Sequence, residues 1–406
     1  MTELLSFLIL ISAGLFLSEF FRRFNVPYVV SLIIAGMLIG PYGLKIFTLN
    51  ETLEFLGSIG LVFLMFMAGL EIKLSSLRKL QSGVLKISLI NGLVPFLLGF
   101  SIASYFEYDF IASLMLGIIF ISSSIAVVIP SLEANKLLNS VVGKSIVSAT
   151  IFEDVFSLVL LSVLLQTLTP STSMPLPVFY LLVFTSLVGL KVLIPKLREF
   201  FFHRKKSEED LFEQEFRFIF AILIGTVVFF DFLGVHAIIA GFFTGLVLSD
   251  SMKSELLKKK LHAISYGLFI PAFFIIIGSQ TDITVFSKVN TALFLTLAVL
   301  IGSAGSKFIS GWIGGRLSGF DSRKSAIIGA STIPQLSTTL AVAFVGLELK
   351  VLDSEMVTAM IILSIVTTLA GPILISSMVK LRDTEKSPLH KLKLWANHMM
   401  RKMERS

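Results

Sequence analysis

Two adjacent carboxylates, Glu153 and Asp154, stand inside an apolar run from Ser148 to Ser157, and a lysine, Lys307, stands inside another from Gly302 to Phe308. Ionised groups in such surroundings cost roughly 2.5–3.5 kcal/mol each on insertion scales, so each needs a task. Neighbouring residues on a helix point about 100° apart, so the two acids cannot serve one partner equally. One can pair with Lys307 while the other faces a cavity. Depth agrees with that pairing. Glu153 lies nine residues past Lys144 and Lys307 lies nine residues before Arg316, about 13–14 Å of helix in each case. The small residues around Lys307 let helices approach closely. The plainer alternative is a structural salt bridge with Asp154 as a polar spare. It has to explain a third charge that would be costly to bury unpaired.

The elements that hold these residues are apolar to a degree that excludes most protein classes. Of 406 residues, 55% are hydrophobic and only 15% charged, and the mean hydropathy is +0.90. Ordinary soluble domains carry about 25% charged residues, so a cytosolic enzyme, a nucleic-acid-binding module and a disordered chain are all excluded. Apolar runs of roughly 17–25 residues match a hydrocarbon core of about 30 Å. The chain reads as an all-α polytopic membrane protein with membrane lipid as its surroundings. With no cysteine, thiolate metal sites, disulfides and cysteine nucleophiles are excluded, and no cofactor is expected. The N-terminus lacks a basic leader, so the first run reads as a retained span.

Thirteen spans are expected, near 4–21, 26–43, 53–71, 83–104, 109–133, 141–168, 177–198, 214–232, 234–250, 264–280, 289–315, 324–348 and 354–379. Of the 34 Lys and Arg, only Lys45, Lys288 and Lys350 fall after even-numbered spans, and Lys191 and Lys307 lie within spans. All the others follow odd-numbered spans or lie in the C-terminal segment. By the positive-inside rule the N-terminus is outside and the C-terminus cytoplasmic, in a plasma or inner membrane.

The halves echo one another. Ala35–Gly40 resembles Ala240–Gly245 at a spacing of about 205, Gly69-Leu70-Glu71-Ile72 resembles Gly278 to Ile283 at 209, and Pro130 resembles Pro334 at 204. An odd number of spans in that spacing makes the repeats inverted, an architecture of secondary transporters. They run roughly over 26–198 and 234–379, within a transmembrane domain spanning 1–380. Two spans are expected to be discontinuous. The fifth carries Ser122-Ser123-Ser124 and then Pro130, and the twelfth carries Pro334-Gln335 and Thr338. Proline frees a carbonyl one turn earlier, and hydroxyls satisfy loosened backbone.

The remaining charges read as peripheral. Glu19 pairs with Arg22 or Arg23, Lys191 snorkels, and Asp231 and His236 flank a turn between spans eight and nine. The stretch from His203 to Asp210 reads as a solvated linker. The segment 381–406 reads as a basic, amphipathic cytoplasmic tail, with Leu392, Trp395, Met399 and Met403 on one stripe facing the inner leaflet.

Taken together, several motifs resemble the monovalent cation:proton antiporter superfamily, on the branch of bacterial sodium/proton and potassium-efflux antiporters. They are Gly36 to Pro41, Phe-Met-Ala-Gly-Leu-Glu at 66–71, Ser123 to Val128, Gly143-Lys144, the Glu153-Asp154 pair and Lys307. The likeness extends to about Lys380. It implies an inverted-repeat antiporter with a dimerisation domain and a mobile six-helix core, working as a homodimer in pH homeostasis. Asp154 would be the carboxylate that binds Na⁺ or a proton, Glu153 would face Lys307, and Ser123 and Ser124 would supply oxygens. The chain departs from the pattern in places. Relatives usually have Gln, Asn or Asp where Glu153 stands, and often Thr where Ile125 stands. The expected function is exchange of a monovalent cation, foremost Na⁺, for protons by alternating access. The alternatives are K⁺/H⁺ exchange and an uncoupled channel or sensor. An intramembrane enzyme is not expected, because no protease, zinc or prenyl-transfer motif occurs.

Overall fold

In hydrocarbon a backbone must satisfy its own hydrogen bonds, which turns the apolar runs into helices. The computed structural model describes residues 3–24, 26–72, 82–168, 175–202, 208–249, 255–282 and 291–385. Its helices are α1 (Glu3–Arg22), α2 (Tyr28–Ile39), α3 (Glu51–Glu71), α4 (Ser82–Tyr105), α5 (Phe110–Ile121), α6 (Ile125–Ala134), α7 (Val141–Leu168), α8 (Leu176–Phe202) and α9 (Glu208–Phe232). After these come α10 (Ala237–Ser249), α11 (Glu255–Ile264), α12 (Ile270–Ser279), α13 (Thr291–Leu317), α14 (Ser322–Thr332), α15 (Ser337–Glu348) and α16 (Ser354–Glu385). A π-helical turn, Ser265–Phe269, joins α11 to α12. Each expected span has its helix or broken pair of helices, and among the described residues no strand occurs.

Ten of these stretches are long and apolar enough to cross a membrane, while α2 and α10 are shorter apolar helices. The chain is thus a multi-pass membrane protein. Spans eight and nine are separate helices. Gly234 turns the chain at φ +83, where Val235 N donates to Phe230 O at 2.8 Å. That backbone conformation is one glycine adopts without strain. One boundary is corrected: α9 begins at Glu208, so Glu208–Asp210 belong to a helix and not to a linker. The amphipathic tail stripe lies outside the described residues.

The inverted repeat is present at a spacing of 209, the one that Gly69 and Gly278 suggest and one turn away from the 205 that Ala35–Gly40 and Ala240–Gly245 suggest. α2 packs against α12, and α3 against α10. These contacts are so close that a Cβ on Gly36 would sit 2.1 Å from Ile275 O, and one on Gly245 would sit 2.1 Å from Phe66 O. Similarly, Gly69 meets Phe242 O and Gly278 meets Ile33 O. Every member of these pairs has its counterpart 209 positions on: 33 with 242, 36 with 245, 66 with 275, 69 with 278. Gly36 therefore corresponds to Gly245, not to Gly241. Gly-x-x-x-Gly repeats small residues at a spacing close to one turn, so the motif matches itself when slipped by a turn.

The second structural unit of each repeat places α4 against α5 and α13 against α14. Here the spacing widens to 212: Asp109 caps α5 through Ala112 N, and Asp321 caps α14 through Lys324 N. The broken spans α5–α6 and α14–α15 are the most buried of the ten. Their breaks fall at Ser122–Ser124 and at Ile333–Leu336. The equivalence expected between Pro130 and Pro334 is corrected. Pro334 lies in its break, whereas Pro130 lies inside α6, well past its own. Thr338 lies in the first turn of α15. Prolines also sit inside α4, α8 and α16, so in this chain a proline alone does not mark a break.

Candidate ion-binding site

The two breaks cross at the centre of the molecule. Ser124 N donates to Pro334 O at 2.7 Å, and Ser123 Oγ lies 2.9 Å from Thr332 O. Each break thus satisfies backbone groups that the other has released. α7 runs past the first break and brings both acids to it.

Glu153 and Lys307 meet as their depths required, with Lys307 Nζ 3.0 Å from Glu153 Oε2 and both side chains fully buried. The pair is enclosed by further polar groups. Glu153 Oε1 accepts from Asn91 Nδ2 at 2.9 Å, and Glu153 Oε2 lies 3.0 Å from Ser123 Oγ. Lys307 Nζ also donates to Ile121 O and, at 3.4 Å, to Asn91 O. Ile121 is the last residue of α5, so the ammonium sits at a helix C-terminus, where the backbone dipole favours a cation. Asn91 Oδ1 in turn accepts from Ser310 Oγ at 2.7 Å. Glu153 is therefore held by Lys307 and Asn91, with the one proton of the Ser123 hydroxyl shared between it and Thr332 O, and is already engaged.

Asp154 has different surroundings. It is only 5% exposed, with the Ser122 hydroxyl and the Ser123 amide beside it. Among the described residues no donor reaches Asp154 Oδ1. Two further hydroxyl oxygens are buried without partners among the described residues: Ser124 Oγ, opening α6 directly after Ser123, and Thr150 Oγ1, one turn before Asp154 on α7. Oxygens left unpaired in a buried place are what a dehydrated cation would bind. The serines thus divide, Ser123 towards Glu153 and Ser124 remaining unpaired.

Gln335 occupies the second break, donating through Nε2 to Ser303 Oγ at 3.0 Å, while its backbone N donates to Thr367 Oγ1 at 3.2 Å. At the repeat spacing of 212–213, Asn91 corresponds to Ser303, Ser123 to Gln335 and Asp154 to Thr367. The second half therefore keeps the polar scaffold and places a neutral threonine where the first half places the acid. Asn91, Ser303, Ser310 and Thr367 escaped sequence reasoning. Neutral polar side chains in a helix usually bond locally, so none of the four carries a signal of its partner in its own segment.

A cleft of about 510 Å³ leads towards the crossing. Ile125, Leu336 and Thr368 lie at its inner part, and Glu71, His262 and Tyr266 line it where α3 ends and α11 meets the π-turn. Among the described residues no group of three or more His, Asp or Glu is placed to hold a metal ion.

Residues 7–381 match the family of transmembrane sodium/hydrogen exchangers. The chain belongs to that family. It is 34% identical over 386 residues to a probable Na⁺/H⁺ antiporter 3 of Methanocaldococcus jannaschii, covering 94% of this chain and 98% of that one. It is 26% identical to a Na⁺/H⁺ antiporter of Enterococcus hirae, covering 89% and 94%. A Na⁺/H⁺-K⁺ antiporter of Bacillus cereus, GerN, is 27% identical over 86% of this chain and 89% of its own. The fold matches the solved sodium proton antiporter MjNhaP1 of M. jannaschii with a TM-score of 0.68 at 18% identity, over 92% of this chain and 96% of that structure. The exchanger family is one of transporters, not enzymes.

Proposed function

We propose that this exchanger trades cytoplasmic Na⁺ for protons by alternating access, with Asp154 as the group that holds one or the other. The observation that carries this is the contrast between adjacent acids: Glu153 is bound by Lys307, Asn91 and the shared Ser123 hydroxyl, while Asp154 Oδ1 is buried with no donor among the described residues. A carboxylate that binds a cation only when deprotonated couples the two fluxes through competition. Thr150 and Ser124 complete the cation's oxygen set. Glu153, Lys307 and Asn91 brace the crossing, and Ser122, Ser123, Gln335 and Pro334 supply its unwound backbone. Repeats over roughly 26–198 and 234–379 move around this centre in a cell membrane, as a homodimer with the N-terminus outside and the C-terminus cytoplasmic. The distribution of Lys and Arg supports that orientation.

Purified protein in proteoliposomes, given a pH gradient, is expected to drive Na⁺ uptake that a protonophore alters. K⁺ belongs in the same assay, because GerN is named for both ions. Transport without proton counter-movement would instead make the chain a channel. The acid at 153 supports net charge movement: if Lys307 loses its proton when the cation enters, two protons move per Na⁺. An imposed membrane potential is then expected to shift the final Na⁺ gradient at fixed pH gradient. An endpoint blind to voltage would leave Asp154 as the only titrating group.

A further inference from the structure

Buried hydroxyls on these helices commonly bond back to their own helix. Ser88, Ser131, Thr244, Thr296, Ser331 and Thr367 each donate to the carbonyl four residues earlier, at 2.6–3.0 Å. That bond is available to almost any helical serine or threonine, so a buried hydroxyl without it stands out. Thr368, the neighbour of Thr367, lacks it. Thr368 is 2% exposed, its Oγ1 has no partner among the described residues, and it lines the cleft beside Ile125 and Leu336. Ile125 directly follows the first break and Leu336 ends the second. One turn deeper on the same face of α16, Ser364 Oγ is also fully buried and unpaired. Elsewhere among the described residues, only Ser265 and Gln280 carry such orphaned atoms outside the Asp154 group.

Leaving a hydroxyl buried and unpaired costs stability, so its retention calls for an explanation. A small alkali cation entering the protein sheds water and needs neutral oxygens to replace it. We propose that Thr368 Oγ1, supported by Ser364, is an oxygen ligand for the transported monovalent cation at the inner end of the cleft, occupied before the ion reaches Asp154. This rests on the exchange reading above and adds a second, neutral station to it. The carboxylate couples the ion to the proton. The hydroxyl station sets how readily the ion gives up its water, and hence the affinity seen from the cleft side.

Thr368→Val keeps the shape of the side chain and removes only the unpaired oxygen. In everted vesicles, with the cleft side outward, the apparent KM for Na⁺ is expected to rise about three- to tenfold, the scale of one lost neutral oxygen contact. Maximal rate should stay within about twofold and the thermal midpoint should not fall. Thr368→Ser, which keeps the hydroxyl, should restore the KM. An unchanged KM in Thr368→Val would overturn the proposal, since the oxygen would then contact nothing that moves. So would a Thr368→Ser variant as weak as Thr368→Val, because packing would then be the cause. Asp154→Asn, assayed in parallel, separates the two readings: if it still exchanges, the carrier assignment fails whatever Thr368 does.

Discussion

Asp154→Asn should abolish coupled Na⁺/H⁺ exchange while leaving the protein folded. Asparagine keeps the size of the side chain and can fill the same place beside Ser122. It neither ionises nor carries a proton through the cycle. Because Asp154 Oδ1 has no donor among the described residues, the amide breaks no existing bond at that atom, and stability should change little. The check is pH-gradient-driven Na⁺ flux in proteoliposomes, alongside a thermal melt in detergent. A variant exchanging at the wild-type rate would remove Asp154 from the mechanism. By contrast, Glu153→Gln should fold less stably, since the neighbouring acid is tied to Lys307, Ser123 and Asn91.

The second large effect concerns the ion pair. Lys307→Ala leaves Glu153 buried without its counter-charge and leaves Ile121 O, at the end of α5, without the ammonium. Removing one partner of a buried pair costs about 3–5 kcal/mol, whereas replacing both with neutral groups is often close to neutral. A marked fall in the thermal midpoint is therefore expected for Lys307→Ala. Glu153→Gln combined with Lys307→Gln should recover much of it, because two amides can bond each other and glutamine can still donate to Ile121 O. With the single variants Glu153→Gln and Lys307→Gln beside it, the double variant closes a cycle that reads the coupling directly. Additive losses would mean that the two charges do not stabilise one another.

The charged centre was legible in the sequence because charge is expensive in an apolar run. Lys144 and Arg316, read as lying at one membrane surface, gave a ruler, and the ruler placed Glu153 opposite Lys307, as found. Asn91 was less legible: its amide joins Glu153 to Ser310 across three helices, and nothing in its own segment signals that. The repeat was legible in kind but slipped by a turn, because Gly36 and Gly40 match Gly241 and Gly245 as well as Gly36 matches Gly245 alone. Only backbone contacts against Ile275 and Phe66 resolve the register. Pro130 misled for a related reason. Pro130 lies on an exposed face inside α6, and the break falls where the crossing partner supplies replacement hydrogen bonds, at Ser123 and Ser124.

The repeat relation has a consequence for rates. Carried through the spacings found here, Glu71 maps to Gln280, Tyr28 to Ala237, Ile125 to Ser337 and Leu336 to Ser124. A cleft formed by the same elements of the opposite repeats would be neutral where this one has an acid, and richer in hydroxyls where this one is aliphatic. The two faces of the carrier are thus chemically unlike, although its backbone is nearly symmetric. Detailed balance still ties the endpoint to the ion gradients alone. The approach to that endpoint is not so bound, because the side chains a cation meets on the two faces differ. Through this inequality the rates of loading from the two sides are expected to differ, while the endpoint is not.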